Sequence, residues 1–347
     1  MAQHSPINDY LCRLKLLLCM RTLYILMFAS LIIASKGCCS PEENKLQATV
    51  LSSTHLDRLS SASGVVYADS SYYVVGDDSP WLYRVSETLR SKEWIKLSST
   101  DSLVNGRIPK SIKSDFECME ELIIDGHHYL VFLSSGSMLL TRDTAEIVDI
   151  EAGEIVTRKN IRPLLDRIKQ TARFPEDDEI NIEGLAITEQ QIYMLHRGNI
   201  SGNLIISLEV RPFYEYLTGM TEKLPGIEIY PFNLPRLENT SAGFSGACIT
   251  PDNQFLVFTA SVEKTGDVLS DGEIAGSYLG IIPFHRMAEG FYEATLLQRD
   301  GGVLPAKLEG VAVHDMEGNV AHLLVVADND DGTSDLYEVE LIFPGKK

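Results

Sequence analysis

The chain has 347 residues, 44% of them apolar, and a formal charge of −19 from 30 basic and 49 acidic side chains. Such a length and composition suffice for one large domain with a substantial core. So acidic a balance argues against nucleic acid and anionic membrane surfaces as partners, and leaves cation binding open.

The first segment stands apart from the rest. Leu23 to Ala34 is a largely apolar run of 12 residues, preceded by Arg21 and followed by Ser35-Lys36-Gly37-Cys38. It is short for a membrane span and has the layout of a secretory signal. The expected organisation is a signal over residues 1–37, a lipidated Cys38 with its tether over 38–45, and a single domain over 46–347. The product is then an exported bacterial protein held at the cell envelope by a lipid anchor, with translation starting at Met1 or Met20. Without residues 1–37 the formal charge becomes −22. Cys118 and Cys248 both occupy apolar strand positions, which reads as buried thiols and not as a disulfide framework.

Leu46–Leu51 is the first strand-like run. Four groups of four follow, separated by turn chemistry. The first is Gly64–Tyr67, Tyr72–Val75, Trp81–Val85 and Glu93–Leu97. The second is Cys118–Ile124, Tyr129–Leu133, Ala145–Ile150 and Glu154–Arg158, with a helix expected near Ile161–Thr171. The third is Leu185–Ile187, Gln191–Leu195, Asn203–Leu208 and Ile227–Tyr230, interrupted by a short helix around Phe213–Leu217. The fourth is Ala247–Thr250, Phe255–Thr259, Ser277–Ile282 and Tyr292–Leu297. A fifth group supplies only Val311–Val313, His322–Ala327 and Asp335–Leu341, so the N-terminal run is expected to complete it. The reading is an all-β protein, a five-bladed β-propeller of four-stranded antiparallel blades closed by the N-terminal strand, with six blades as the alternative.

A small or acidic residue precedes each first strand: Ser63, Glu117, Glu183, Ser245 and Glu309, spaced by 54, 66, 62 and 64 residues. Glycine follows four of the five, as crowding toward an axis demands. On a propeller these residues meet around the central channel. Three converging carboxylates repel one another, and no lysine or arginine stands at an equivalent position. A hard cation of calcium type, held by these five residues, is the expected answer.

The order Ser, Glu, Glu, Ser, Glu resembles the calcium-activated nucleotidases, or soluble apyrases, which are five-bladed propellers with an axial calcium. Val74-Val75-Gly76-Asp77-Asp78 and Met194-Leu195-His196-Arg197 match two further places in that family. The resemblance implies that Asp77, Asp78 and Arg197 face nucleotide phosphates. The Glu-Gly-Leu-Ala and Glu-Gly-Val-Ala boxes also resemble phytase-like propellers and bacterial lipoproteins of propeller form.

The ends of the second strands collect further polar residues around the same mouth. In an enzyme, Arg142 and Arg197 would clamp negative charge and Asp77 or Asp78 would activate water. The excess of acids there favours a ligand-binding or scaffolding module for a small anionic ligand or an envelope protein, with a calcium-dependent phosphohydrolase as the alternative. Asp328-Asn329-Asp330-Asp331-Gly332 begins like an EF-hand loop, but position twelve is Val339 and no helices flank it, so a hairpin turn is expected. Gly243-Phe244-Ser245-Gly246-Ala247 lacks the last glycine of a nucleophile elbow, which argues against serine hydrolase chemistry.

Overall fold

Short runs of β-branched, aromatic and aliphatic residues, cut by tight turns, organise almost the whole of the described chain. The structure, a computed structural model, describes residues 45–345 except Ser99, Asp101, Asn199 and 265–271. The expected signal segment and Cys38 lie outside the described residues. No helix among the described residues is long and apolar enough to cross a membrane.

Strand β1 (Gln47–Leu56) precedes a sheet of β2 (Ala62–Ala68), β3 (Ser71–Gly76), β4 (Trp81–Val85) and β5 (Ser91–Lys96). Next come β6 (Phe116–Ile124), β7 (His127–Ser134), β8 (Thr144–Asp149) and β9 (Glu154–Asn160), followed by helix α1 (Arg162–Ala172). The third sheet has β10 (Ile182–Ile187), β11 (Gln191–His196), β12 (Asn203–Glu209) and, after helix α2 (Val210–Leu217), β13 (Glu228–Phe232). A small ribbon, β14 (Arg236–Leu237) and β15 (Thr240–Ser241), leads to β16 (Gly243–Ile249), β17 (Phe255–Glu263), β18 (Ile274–Pro283) and β19 (Glu293–Leu296). A second ribbon, β20 (Gln298–Arg299) and β21 (Gly302–Val303), precedes β22 (Lys307–Glu317), β23 (Val320–Asp328) and β24 (Ser334–Ile342).

Five four-stranded antiparallel sheets result, as expected, and the two ribbons add no sixth. The last sheet runs β1-β24-β23-β22, with Gln47 opposite Ile342 and Leu56 opposite Ser334. The N-terminal strand thus covers an edge that would otherwise be open. Where hairpins are tightest, φ is positive twice in succession, at Asp69 and Ser70 (46° and 53°) and at Asp125 and Gly126 (52° and 83°). That is the turn whose twist matches its flanking strands.

Circular closure is visible in the packing. Inner strands β2, β6, β10, β16 and β22 each touch the next, and β22 returns to β2. Five apolar clusters fill the spaces between successive sheets. The one between the fifth and first sheets joins Leu59, Val65 and Val74 to Ala312, Leu324 and Val326. Helix α1 caps the layer between sheets two and three with Leu164, Leu165 and Ile168, a spacing that puts all three on one face. Cys118 and Cys248 are free and buried.

Each inner strand has a break in register at the same place. The breaks fall between Ala62 and Gly64, Phe116 and Cys118, Ile182 and Gly184, Phe244 and Gly246, and Leu308 and Gly310. The residues left over are Ser63, Glu117, Glu183, Ser245 and Glu309. Instead of preceding their strands, they lie inside them as the extra residue of a β-bulge. A bulge re-aims the side chain and sharpens the local twist. Glycine is then needed next door, because a Cβ on Gly246 would stand 2.7 Å from the Glu309 carbonyl oxygen and 2.8 Å from Gly310 Cα.

Candidate functional site

Alternation along a strand puts residue i and residue i−2 on one side. Two positions before each bulge stand Ser61, Asp115, Asn181, Gly243 and Lys307, and all five line the same cavity at the starts of the inner strands. Four of the bulge residues, Ser63, Glu117, Glu183 and Glu309, line it too. Ser245 does not; it is buried against Thr259, with 3.2 Å between the hydroxyls. The ends of β3, β11 and β17 bring Asp77, Arg197 and Glu263 to this mouth, and the loop between β7 and β8 brings Arg142. Asp78 faces the neighbouring cleft instead, where Arg107 grips it at 2.6 Å.

The mouth holds about 350 Å³ and is strongly ionic. Asp77, Asp115, Glu117, Glu183, Glu263, Glu309 and Asp328 are its carboxylates, and Lys110, Lys113, Arg142, Arg197 and Lys307 its cationic groups. Seven against five leaves a modest formal excess of negative charge.

The repulsion among the axial glutamates is relieved from within the chain. Arg197 reaches Glu183 at 3.7 Å and Glu263 at 2.5 Å. It does so through space that any side chain at position 243 would fill, since a Cβ on Gly243 would stand 2.6 Å from Arg197 Cγ. Lys307 pairs with Glu309 at 3.0 Å. Lys113 sits between Asp77 and Asp115, 2.7 Å from the latter. Arg142 Nη1 lies 3.1 Å from Asp115 Oδ2 and donates to Ser137 at 3.1 Å. Asn181 donates to Glu183, and its own N–H is held by buried His196 at 3.0 Å. Burial keeps that imidazole's pKa down at about 4, so it is the neutral form that accepts.

Titration follows burial first and neighbours second. Burial, with Asp115, Glu183 and Asp77 adding to it, pushes the Glu117 carboxyl well above the ordinary range. Glu309 is pushed up to about 8 by burial, although Lys307 pulls the other way. Asp328 rises to about 7 for the same reason. Glu183 and Asp77 are raised by burial against the pull of Arg197 and Lys113 respectively. Burial opposes the Lys113 ammonium, but Asp77 and Asp115 outweigh it and keep the group charged.

Among the described residues, the carboxylates close enough to share one ion are Asp77, Asp115 and Glu117, with oxygens within 4.8 Å of one another. Glu117 thus belongs to a different trio from the expected ring. Asp115, Lys113 and Lys307 escaped the sequence reading. The signal for Asp115 and Lys307 was their place two residues ahead of a bulge glutamate; Lys113 lies on an irregular loop and gave none.

A model of a family of unknown function (DUF6929) matches residues 58–341. The chain belongs to that family. No curated protein matches it. Among solved structures it is similar to the PQQ-bound aldose sugar dehydrogenase of Streptomyces coelicolor, at 14% identity and a TM-score of 0.43, over 86% of this chain and 99% of that one. It is also similar to an exo-1,5-α-L-arabinanase from a bovine ruminal metagenomic library (11%, TM-score 0.44, 81% and 92%). A glutaminyl cyclase of Myxococcus xanthus gives 12%, 0.40, 86% and 97%. Likenesses this distant bear on neither ligand nor chemistry.

Proposed function

We propose that the chain is a ligand-binding propeller of the cell envelope whose ionic mouth receives a small anionic ligand together with a hard cation of calcium type. One observation carries the reading. Asp77 Oδ1 and Glu309 Oε2, and on the opposite sign Arg142 Nε and Nη2, are buried at this mouth without a hydrogen-bond partner. Each such atom costs about 1–3 kcal/mol if left alone. A cation satisfies the Asp77 oxygen and an anion satisfies the guanidinium. Asp77, Asp115 and Glu117 would hold the ion, whose charge would draw the anion in and polarise it. Tethering through a lipid on Cys38 belongs to the same proposal and rests on the residues around that cysteine.

Lys113 gives the reading a sharp test, because its ammonium already stands on two of the three proposed ligands. An incoming ion has to displace it. Calorimetric titration with calcium chloride is therefore expected to show binding tightened about tenfold in Lys113→Gln, where only a neutral amide has to leave. An unchanged or weaker affinity in that variant removes the ion from this place. With calcium present, Arg142→Gln is expected to weaken inorganic phosphate about tenfold while calcium binding stays.

The phosphohydrolase reading is narrowed by the same geometry. Arg197 is engaged by Glu183 and Glu263, and Asp78 by Arg107; Asp77 and Arg142 are also paired, but Asp77 Oδ1 and Arg142 Nε and Nη2 keep unpartnered atoms that could act on a phosphoester. Calcium-dependent phosphate release from a nucleoside diphosphate, lost in Asp77→Asn, is the result that would favour it.

A further inference from the structure

We propose that the opposite end of the channel is a second, separate binding site, which takes a small amine with an apolar body and holds its ammonium on Glu120. Three residues past each bulge the inner strands carry Val66, Glu120, Ala186, Cys248 and Ala312. Four positions of this pseudo-five-fold ring are thus small or apolar, and one is an acid. Val66, Glu120, Cys248 and Ala312 line a cavity of about 630 Å³ where the inner strands end. Between it and the ionic mouth the channel narrows to about 10 Å³, room for about one water. Gly64, Gly246 and Gly310 are among the residues that form that waist.

Glu120 is only 9% exposed. Its Oε1 accepts the Glu121 N–H at 2.9 Å, and it forms no ion pair among the described residues. No lysine or arginine lines this cavity. A buried carboxyl in apolar surroundings is costly unless a partner supplies charge or hydrogen bonds. Burial pushes Glu120 up to about 8, the Glu121 N–H pulling the other way. The titratable groups around it are Tyr67 of β2, Glu121 on the same strand, engaged by His128 of β7, Cys248 of β16, His314 of β22 and Glu189 beyond β10. Among the described residues, the three carboxylates of this cavity do not come close enough together to share a hard metal ion. The rest of the wall mixes apolar Val65, Ile123, Ile187, Ile249 and Val313 with the hydroxyl and amide groups of Thr188, Thr250 and Asn253, and the Tyr67 ring lies 4.7 Å from His314 beside it. An ammonium with an aliphatic or aromatic body matches both parts, since it can donate to the acid and bury its body.

Binding is linked to protons with a definite sign. Below about 8 the carboxyl is neutral, so an ammonium seated on it drives off one proton. Affinity therefore rises from pH 6 to pH 8.

The test uses calorimetry on the purified protein with benzylamine, and with benzyl alcohol as its uncharged counterpart. Benzylamine is expected to bind at least about tenfold tighter than the alcohol, releasing a proton at pH 7, and Glu120→Gln is expected to cancel that advantage while leaving the alcohol unaffected. Glu120→Gln removes a buried titrating group, and a melting temperature no lower than that of the parent shows that the fold is kept. The proposal is overturned if benzylamine does not bind, if amine and alcohol bind alike, or if Glu120→Gln leaves the amine unchanged. It is equally overturned if Asp77→Asn, at the other mouth, is the substitution that abolishes amine binding.

Discussion

Replacing Arg197 with methionine is expected to destabilise the protein by about 3–5 kcal/mol at pH 8, the usual cost of stranding a buried ion's partners. The guanidinium is the shared partner of Glu183 and Glu263, both of them close to fully enclosed. Methionine retains most of the packing, so the loss is electrostatic and not a cavity. The pH dependence has a fixed sign. Burial already raises the Glu183 carboxyl above its unfolded value, and losing Arg197 raises it further. The folded state then binds more protons than the unfolded state, so stability falls as pH climbs from near 4.5 toward the raised pKa. Denaturant unfolding at pH 5 and pH 8 checks this, with the larger loss at pH 8. Adding Glu263→Gln should return part of it, since one of the two stranded carboxylates disappears. A loss below about 1 kcal/mol at pH 8 would mean that water, and not Arg197, compensates these acids.

Gly246→Ala should cost about 3 kcal/mol or more through backbone overlap alone. The added Cβ would stand 2.7 Å from the Glu309 carbonyl oxygen, 2.7 Å from Thr259 Oγ1 and 2.8 Å from Gly310 Cα. Two of those atoms belong to the main chain of the neighbouring inner strand and cannot rotate away. The ring has to open or the β16 bulge has to be lost, and both displace Glu309. Alanine at Gly301 is the control: φ is 79° there, but nothing stands within 4 Å, so only the cost of a left-handed alanine remains, about 1 kcal/mol. Thermal unfolding of the two variants separates the explanations. Equal losses at both positions would refute close approach as the reason for glycine in the inner strands.

The bulge residues show where local pattern ends. Ser63, Glu117, Glu183, Ser245 and Glu309 could be picked out because a 54-to-66-residue rhythm of small or acidic residues before apolar runs is a property of the string itself. Their placement inside the strands could not, because a bulge is a relation between two strands and appears only when the partner's register is known. Helix α1 was legible to within a residue at each end, since Ile161, Leu164, Leu165 and Ile168 carry helical spacing behind Pro163. Lys113 was not legible at all. It lies on a loop with no periodicity, and its role depends on Asp77 and Asp115, which come from different blades.

The string alone determined the five-part repeat of four-stranded sheets, the borrowed N-terminal strand and the small or acidic residues that recur in the inner strands, because alternation, turn chemistry and glycine spacing are short-range properties of the backbone; the two short ribbons were not foreseen. Only the tertiary structure decided what those axial acids meet. Ion pairing and burial are set by distances of a few ångströms between segments far apart in sequence, which is why Arg197 stands beside Glu183, Lys307 beside Glu309, and Lys113 between Asp77 and Asp115. The same long-range closure left Glu120, at the other end of the channel, without an ion pair among the described residues.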